Sequence, residues 1–183
     1  MGHKFAELAF TQQVKTLQTE AGSRKSYARM ESGDDSTNLL GPAEAEFIAA
    51  RDSFYMATVS ETGWPYVQHR GGPKGFLRVL DDQTIGFADF RGNKQYVSTG
   101  NLMNDDRVSL ILMDYPNKRR LKLLGHVSLI EPTDTELLEK LELPDYRARV
   151  ERGMVIKVEA FDWNCPQHIT PRFTLEEAEA LMG

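Results

Sequence analysis

The sequence predicts a mainly β (α+β) fold, an antiparallel barrel with flanking helices. Three observations predict it. From Ser53 onward, six or so short apolar, β-branched runs recur, and most are joined by turn residues at hairpin spacing. A helix-like stretch follows the fourth run. Alternating strand–helix–strand units are absent, which argues against a doubly wound nucleotide fold.

The elements follow in order. Residues 4–18, KFAELAFTQQVKTLQ, set Phe5, Leu8, Val14 and Leu17 at helical spacing and predict one amphipathic helix. Residues 20–36 are polar and glycine-bearing and read as a loop or a partner-facing arm. GPAEAEFIAAR, 41–51, predicts a short helix with Pro42 in its first turn. FYMATVS, the turn ETGW and PYVQHR then form one hairpin, and GFLRVL, DDQ and TIGFAD a second. NKQYVSTGNLMND, 93–105, has helical spacing with Tyr96, Val97 and Leu102 available to face a sheet. RVSLILMDY and RRLKLLGHVSLIE are long strands, and GMVIKVEAFD is the last. Between them PTDTELLEKLEL is a helix capped by Thr133 or Asp134, and Thr174 with Glu177 has capping-box spacing for a C-terminal helix. The expected division is a helical arm, 1–44, and a barrel domain, 45–183.

Composition bounds the function. Of 183 residues, 40% are hydrophobic and 27% charged, an ordinary globular balance. A net charge of −5 gives no basic footprint for nucleic acid, though a local patch can still bind phosphate. No apolar run reaches membrane-spanning length. The single cysteine, Cys165, forms no internal disulfide, which fits a reducing, cytoplasmic setting.

Four stretches carry chemistry. VQHRGGPKGF, 67–76, combines Arg70 and Lys74 with glycines whose N–H groups admit an anion; a glycine bulge with solvated charges is the plainer reading. ADFRGNK, 88–94, ends a strand and opens a helix, so Arg91, Asn93 and Lys94 read either as a phosphate cradle or as ordinary capping with exposed cations. On neighbouring strands, the two stretches together favour a shared phosphate site. In RRLKLLG, alternation puts Arg120 and Lys122 on one strand face, by default a solvated one. Last, EAFDWNCPQHITPR, 159–172, holds Cys165 and His168. With His3, His69 and His126 scattered, no metal site is expected, and Pro166 keeps Cys165 and His168 off a common helix face. Trp163, Asn164, Gln167 and His168 suit a flat ligand with polar edges, and Cys165 is expected to be a buried residue of a well-packed turn rather than a nucleophile.

The run FYMATVSETGWPYVQHRGG…TIGFADFRGNKQYVSTGNLMNDDRVSLILM…LKLLGHVSLIE resembles the FMN-binding split-barrel family related to pyridoxamine 5′-phosphate oxidase, over roughly residues 45–132. The resemblance implies a split β-barrel, a homodimer, and FMN in two equivalent clefts at the subunit interface. It implies that Gln68, His69, Arg70 and Gly71 run beside the flavin, and that Phe87, Ala88 and Asp89 lie under the ring or ribityl chain. Asn93 and Lys94 fall where the oxidases carry an Arg-Lys pair for the phosphate, so Arg70 or Arg91 is expected to supply the missing guanidinium. Arg120 and Lys122 are expected to come from the second subunit.

The C-terminal segment departs from the oxidases, which end with a Trp and an R-L-H-x-R-like stretch that binds substrate phosphate and cofactor. That departure argues against vitamin B6 oxidation but not against FMN. Asn164, Gln167 and His168 are then expected near the polar edge of the isoalloxazine. The expected function is an FMN-dependent oxidoreductase. A flavin carrier or redox sensor, or a barrel holding haem or a deazaflavin, are the competing readings. No catalytic residue is assigned, with His69 and His168 the first candidates on titration grounds.

Overall fold

The computed structural model describes residues 3–33, 37–163 and 165–182. Its strands form where apolar alternation puts them. β1 (Ser53–Val59) and β2 (Pro65–Gly71) make the first hairpin, paired from Ser53↔Gly71 to Val59↔Pro65. Gly63, at φ 84°, supplies the left-handed residue its turn requires. β3 (Arg78–Asp81) and β4 (Thr84–Phe90) make the second, and β5 (Arg107–Asp114), β6 (Arg119–Ile130) and β7 (Val150–Trp163) complete the set. All pair antiparallel in one seven-stranded sheet of order β2-β1-β5-β6-β7-β4-β3.

β2 and β3 end the ladder, so no hydrogen-bonded closure completes the barrel. The sheet is split, and side chains rather than backbone bonds join its two halves. Phe54 of β1 stacks on Phe76 at 5.6 Å and meets Phe87 of β4 edge-on at 5.3 Å between ring centroids. Such pairs contribute about 0.5–1.5 kcal/mol each beyond their buried area. Met56, Leu110, Leu112, Leu121, Leu123 and Ile156 fill the rest of the interior.

Most helices match expectation. α4 (Pro42–Ala49) starts with proline, and Gly41 N–H donates to Glu44 Oε2 at 3.0 Å. α6 (Thr135–Leu141) is capped by Asp134, which accepts from Leu137 N–H at 3.2 Å. α7 (Leu175–Met182) has the reciprocal Thr174–Glu177 bonds, at 2.8 and 3.2 Å.

The arm differs. The single helix expected over 4–18 is two, α1 (Lys4–Ala9) and α2 (Gln12–Glu20), because Thr11 adopts extended backbone and caps α2 through Val14 N–H. The expected loop over 20–36 contains α3 (Arg24–Ser32). This helix is largely exposed and is tied down at a few points: Glu31 meets Lys15 at 2.7 Å and also Arg24, while Tyr27 meets Phe10 edge-on. A helix held by ion pairs leaves little apolar period to read. The end of that stretch, residues 34–36, lies outside the described residues. No described helix is long and apolar enough to cross a membrane.

Candidate anion-binding site

Alternation along β2 turns Tyr66, Gln68 and Arg70 inward and Val67 and His69 outward. Arg70 reaches Asp89 of β4, Nη1 to Oδ1, at 2.6 Å, and Ser98 donates to Gln68 Oε1 at 2.7 Å. β2 and β4 are not neighbours in the sheet, contrary to the expected order; they lie on opposite sides of the split. The sheet's curl brings them together, so the site sits at the seam. It comprises two adjoining clefts, of about 120 and 160 Å³, that share Gln68, Arg70, Asp89 and Phe90.

The charges are tightly ordered. Asp89 also faces Arg152 at 3.5 Å, and Glu151 is shared by Arg91 at 3.8 Å, Arg152 at 3.7 Å and the Tyr96 hydroxyl at 3.2 Å. Burial pushes the Asp89 carboxyl above its usual value of 3.8, outweighing the pull of the Arg70 and Arg152 guanidiniums. Cations exceed carboxylates: among the lining residues Arg70, Arg91, Lys94 and Arg152 stand against Asp89 and Glu151. Among the described residues the buried Nε of Arg70 has no hydrogen-bond acceptor, and the Nε of Arg152 has only the long ion pair to Asp89. A buried, unsatisfied guanidinium N–H costs roughly 1–3 kcal/mol or more, so an anion with spare oxygens fits this cluster.

The loop after β4 corrects the expected cradle. The helix does not begin at Asn93; α5 (Val97–Leu102) starts after Tyr96. Asn93 Oδ1 instead accepts from Gln95 N–H at 3.1 Å, and Lys94 and Tyr96 sit at φ 61° and 53°, where a helix cannot propagate. Lys94 therefore enters the 120 Å³ cleft from a constrained loop, not a helix terminus, and pairs with no carboxylate among the described residues.

The remaining expected residues divide. His69 and Gly71 line the second cleft, with the His69 ring edge-on to Tyr55 at 5.5 Å. Phe87 and Ala88 line it too but are 2% and 1% exposed, and the Phe87 ring belongs to the core. Arg91 faces a third cleft beyond Lys94. Arg120 and Lys122 share one face of β6, as alternation requires, but lie apart from the seam. Lys122 meets Asp162 at 3.4 Å and the Phe5 ring of α1 at 4.7 Å. Gln167, His168 and Cys165 are exposed beyond β7, away from these clefts, which corrects the burial expected of Cys165, and Asn164 lies outside the described residues. No metal-ligating cluster is present among the described residues. Sequence reasoning missed Tyr96 as a site residue, Glu151 and Arg152. The charged run RARVERG opening β7 was the available signal, since charges on a strand otherwise buried between two neighbours need a purpose.

Residues 40–164 match the family model described as pyridoxamine 5′-phosphate oxidase. Among solved structures, a candidate pyridoxamine 5′-phosphate oxidase from Lactobacillus delbrueckii is 22% identical, with a TM-score of 0.52 over 69% of this chain and 96% of that one. HupZ of Group A Streptococcus is 13% identical, with a TM-score of 0.52 over 74% of this chain and 100% of that one. At these identities the likeness is one of fold. A search of curated proteins returns no match.

Proposed function

The chain belongs to the pyridoxamine 5′-phosphate oxidase family, and from that premise we propose that it binds FMN and serves as a flavin-dependent oxidoreductase. The observation that carries the reading is the seam cluster, where Arg70 keeps an unsatisfied buried Nε beside an unpaired Lys94. A phosphate monoester carries about −1.5 to −2 charge and three acceptor oxygens, which answers both needs. Arg70 supplies the guanidinium for which Asn93 cannot substitute, and Lys94 the second cation. Asp89 orients Arg70, and Gln68, held by Ser98, offers its amide to the ligand. When bound, FMN supplies the hydride or electron transfer.

The chain acts as a homodimer in this reading. Cross-strand partners put Tyr55, His69, Ile111 and Lys122 in one row on the outer face of the sheet, and Ala57, Val67, Ser109 and Leu124 in another. Tyr55 is 38% and Val67 60% exposed there, so a partly apolar sheet face awaits cover. Packing two copies by this face brings Arg120 and Lys122 of one toward the seam of the other.

The test is the absorption spectrum after adding equimolar FMN and desalting. Retained flavin bands support the reading, and a colourless protein overturns it. Steady oxidation of a nicotinamide cofactor by the loaded protein then separates an enzyme from a carrier.

A further inference from the structure

Resting on the flavin reading, we propose that the site takes a dinucleotide flavin, its second phosphate and adenosine filling the cleft beyond Lys94. This third cleft, about 390 Å³, shares Lys94, Tyr96 and Glu151 with the 120 Å³ cleft, so the two are contiguous. Its walls carry Arg91, Lys94, Arg149 and Arg152 against the single carboxylate of Glu151. In a chain of net charge −5 this is a pronounced local excess.

One phosphate does not account for that spread. Arg91 and Arg152 are committed to Glu151, and Arg152 also to Asp89. Lys94 and Arg149 remain without a side-chain partner among the described residues. Lys94 serves both clefts, but Arg149 lines only the outer one. Its backbone is fixed by the bond from Arg91 N–H to its carbonyl at 2.8 Å, so the side chain starts from a set position. Two unpaired cations in contiguous clefts match two linked anionic groups better than one.

The outer cleft also offers an aromatic surface. Tyr96 is 44% exposed, its hydroxyl is held by Glu151, and the Arg152 guanidinium lies 5.3 Å from its ring centroid. A half-exposed ring backed by a guanidinium is a stacking platform for a purine base. Its backbone at φ 53° is an unusual conformation for a tyrosine, one that fixes where the ring stands. A phosphate next to an aromatic platform is the chemistry of a nucleotide, and the first cleft fixes which end of the flavin it joins.

The experiment compares FMN, FAD and AMP by quenching of flavin fluorescence and by calorimetry on the full chain, with Arg149→Gln beside the wild type. FAD is expected to bind on the order of tenfold more tightly than FMN, the scale of one added charged hydrogen bond. Arg149→Gln is expected to remove most of that preference while leaving FMN affinity unchanged, and AMP to bind the FMN-loaded protein. Equal affinities for FMN and FAD, or a variant that weakens both alike, overturn the dinucleotide proposal alone. Binding of neither flavin overturns it together with the flavin reading.

Discussion

In the proposed site Arg70 and Lys94 divide the work of holding an anion, and they are expected to respond differently to mutation. Arg70 is also structural, since it ties β2 to β4 through Asp89. Lys94 is exposed, makes no ion pair, and can be removed without disturbing the fold. Lys94→Ala is therefore expected to weaken FMN binding by about 1.5–3 kcal/mol, roughly ten- to a hundredfold in Kd, with an unchanged melting temperature. Calorimetric titration checks this, and an unaltered Kd removes Lys94 from the phosphate site. Asp89 makes a pH prediction. Its folded pKa is raised above 3.8, so between that value and the folded one the native state binds more protons than the unfolded chain. The group's contribution to stability thus falls as pH rises through that window. Asp89→Asn should remove this slope from a plot of melting temperature against pH, and a slope unchanged by the mutation would discount the burial argument. At this scale the sequence was informative about residue types and poor about partners. Glycines and cations in VQHRGG and FRGNK pointed to the candidate anion site, but the Arg70–Asp89 pair joins residues nineteen apart in sequence on strands from opposite sides of the split. Local spacing carries no trace of that contact.

Elements were legible where their period was apolar. β1, β5 and β6 reveal themselves through alternation, the other strands through extended runs bounded by turn residues, and α4, α6 and α7 through caps and proline. α3 was hidden because its stability comes from Glu31 with Lys15 and Arg24, and the break before α2 because a single threonine cap makes it. The start of α5 was misplaced because Lys94 and Tyr96 are left-handed, a conformation that spacing does not reveal, and Tyr96 is tied to Glu151 across the fold. Packing of elements depends on what glycine leaves out. A Cβ on Gly86 or on Gly153 would lie 2.8 Å from Leu141 of α6, and one on Gly125 would lie 2.4 Å from the Lys157 carbonyl oxygen of β7. The first two clashes involve a side-chain end and the last a backbone atom. Gly125→Ala should therefore cost at least the 1–3 kcal/mol typical of overpacking, and Gly86→Ala less, because Leu141 can shift. Urea denaturation of both variants measures the order, and a Gly86→Ala cost above that of Gly125→Ala would contradict it.

For the whole molecule, the open question set by the fold is what covers the outer face of the sheet. The interior is closed by the aromatic cluster across the split, while the outward side chains Tyr55 of β1 and Val67 of β2 stay exposed among the described residues. Tyr55, Val67 and Ile111 form the middle of that face, flanked by Arg120 and Lys122. These two cations lie off the seam in one chain, whereas the family resemblance implies that they reach the flavin from a second subunit. The observed position and the expectation are reconciled in the proposed dimer if the outer faces of two copies meet, since each copy then completes the other's site. Dimerisation and flavin affinity become one equilibrium, with binding that strengthens as protein concentration rises. Val67→Asp places a charge in the centre of the face, on the outward side of β2, while leaving inward Gln68 and Arg70 untouched. By light scattering at micromolar concentration the wild type is expected to have twice the chain mass and Val67→Asp the mass of one chain. The variant should retain its melting cooperativity but lose FMN affinity by a factor comparable to that of Lys94→Ala. A wild type that is monomeric, or a monomeric variant that binds FMN as tightly as the dimer, would show that each seam is complete within its own chain.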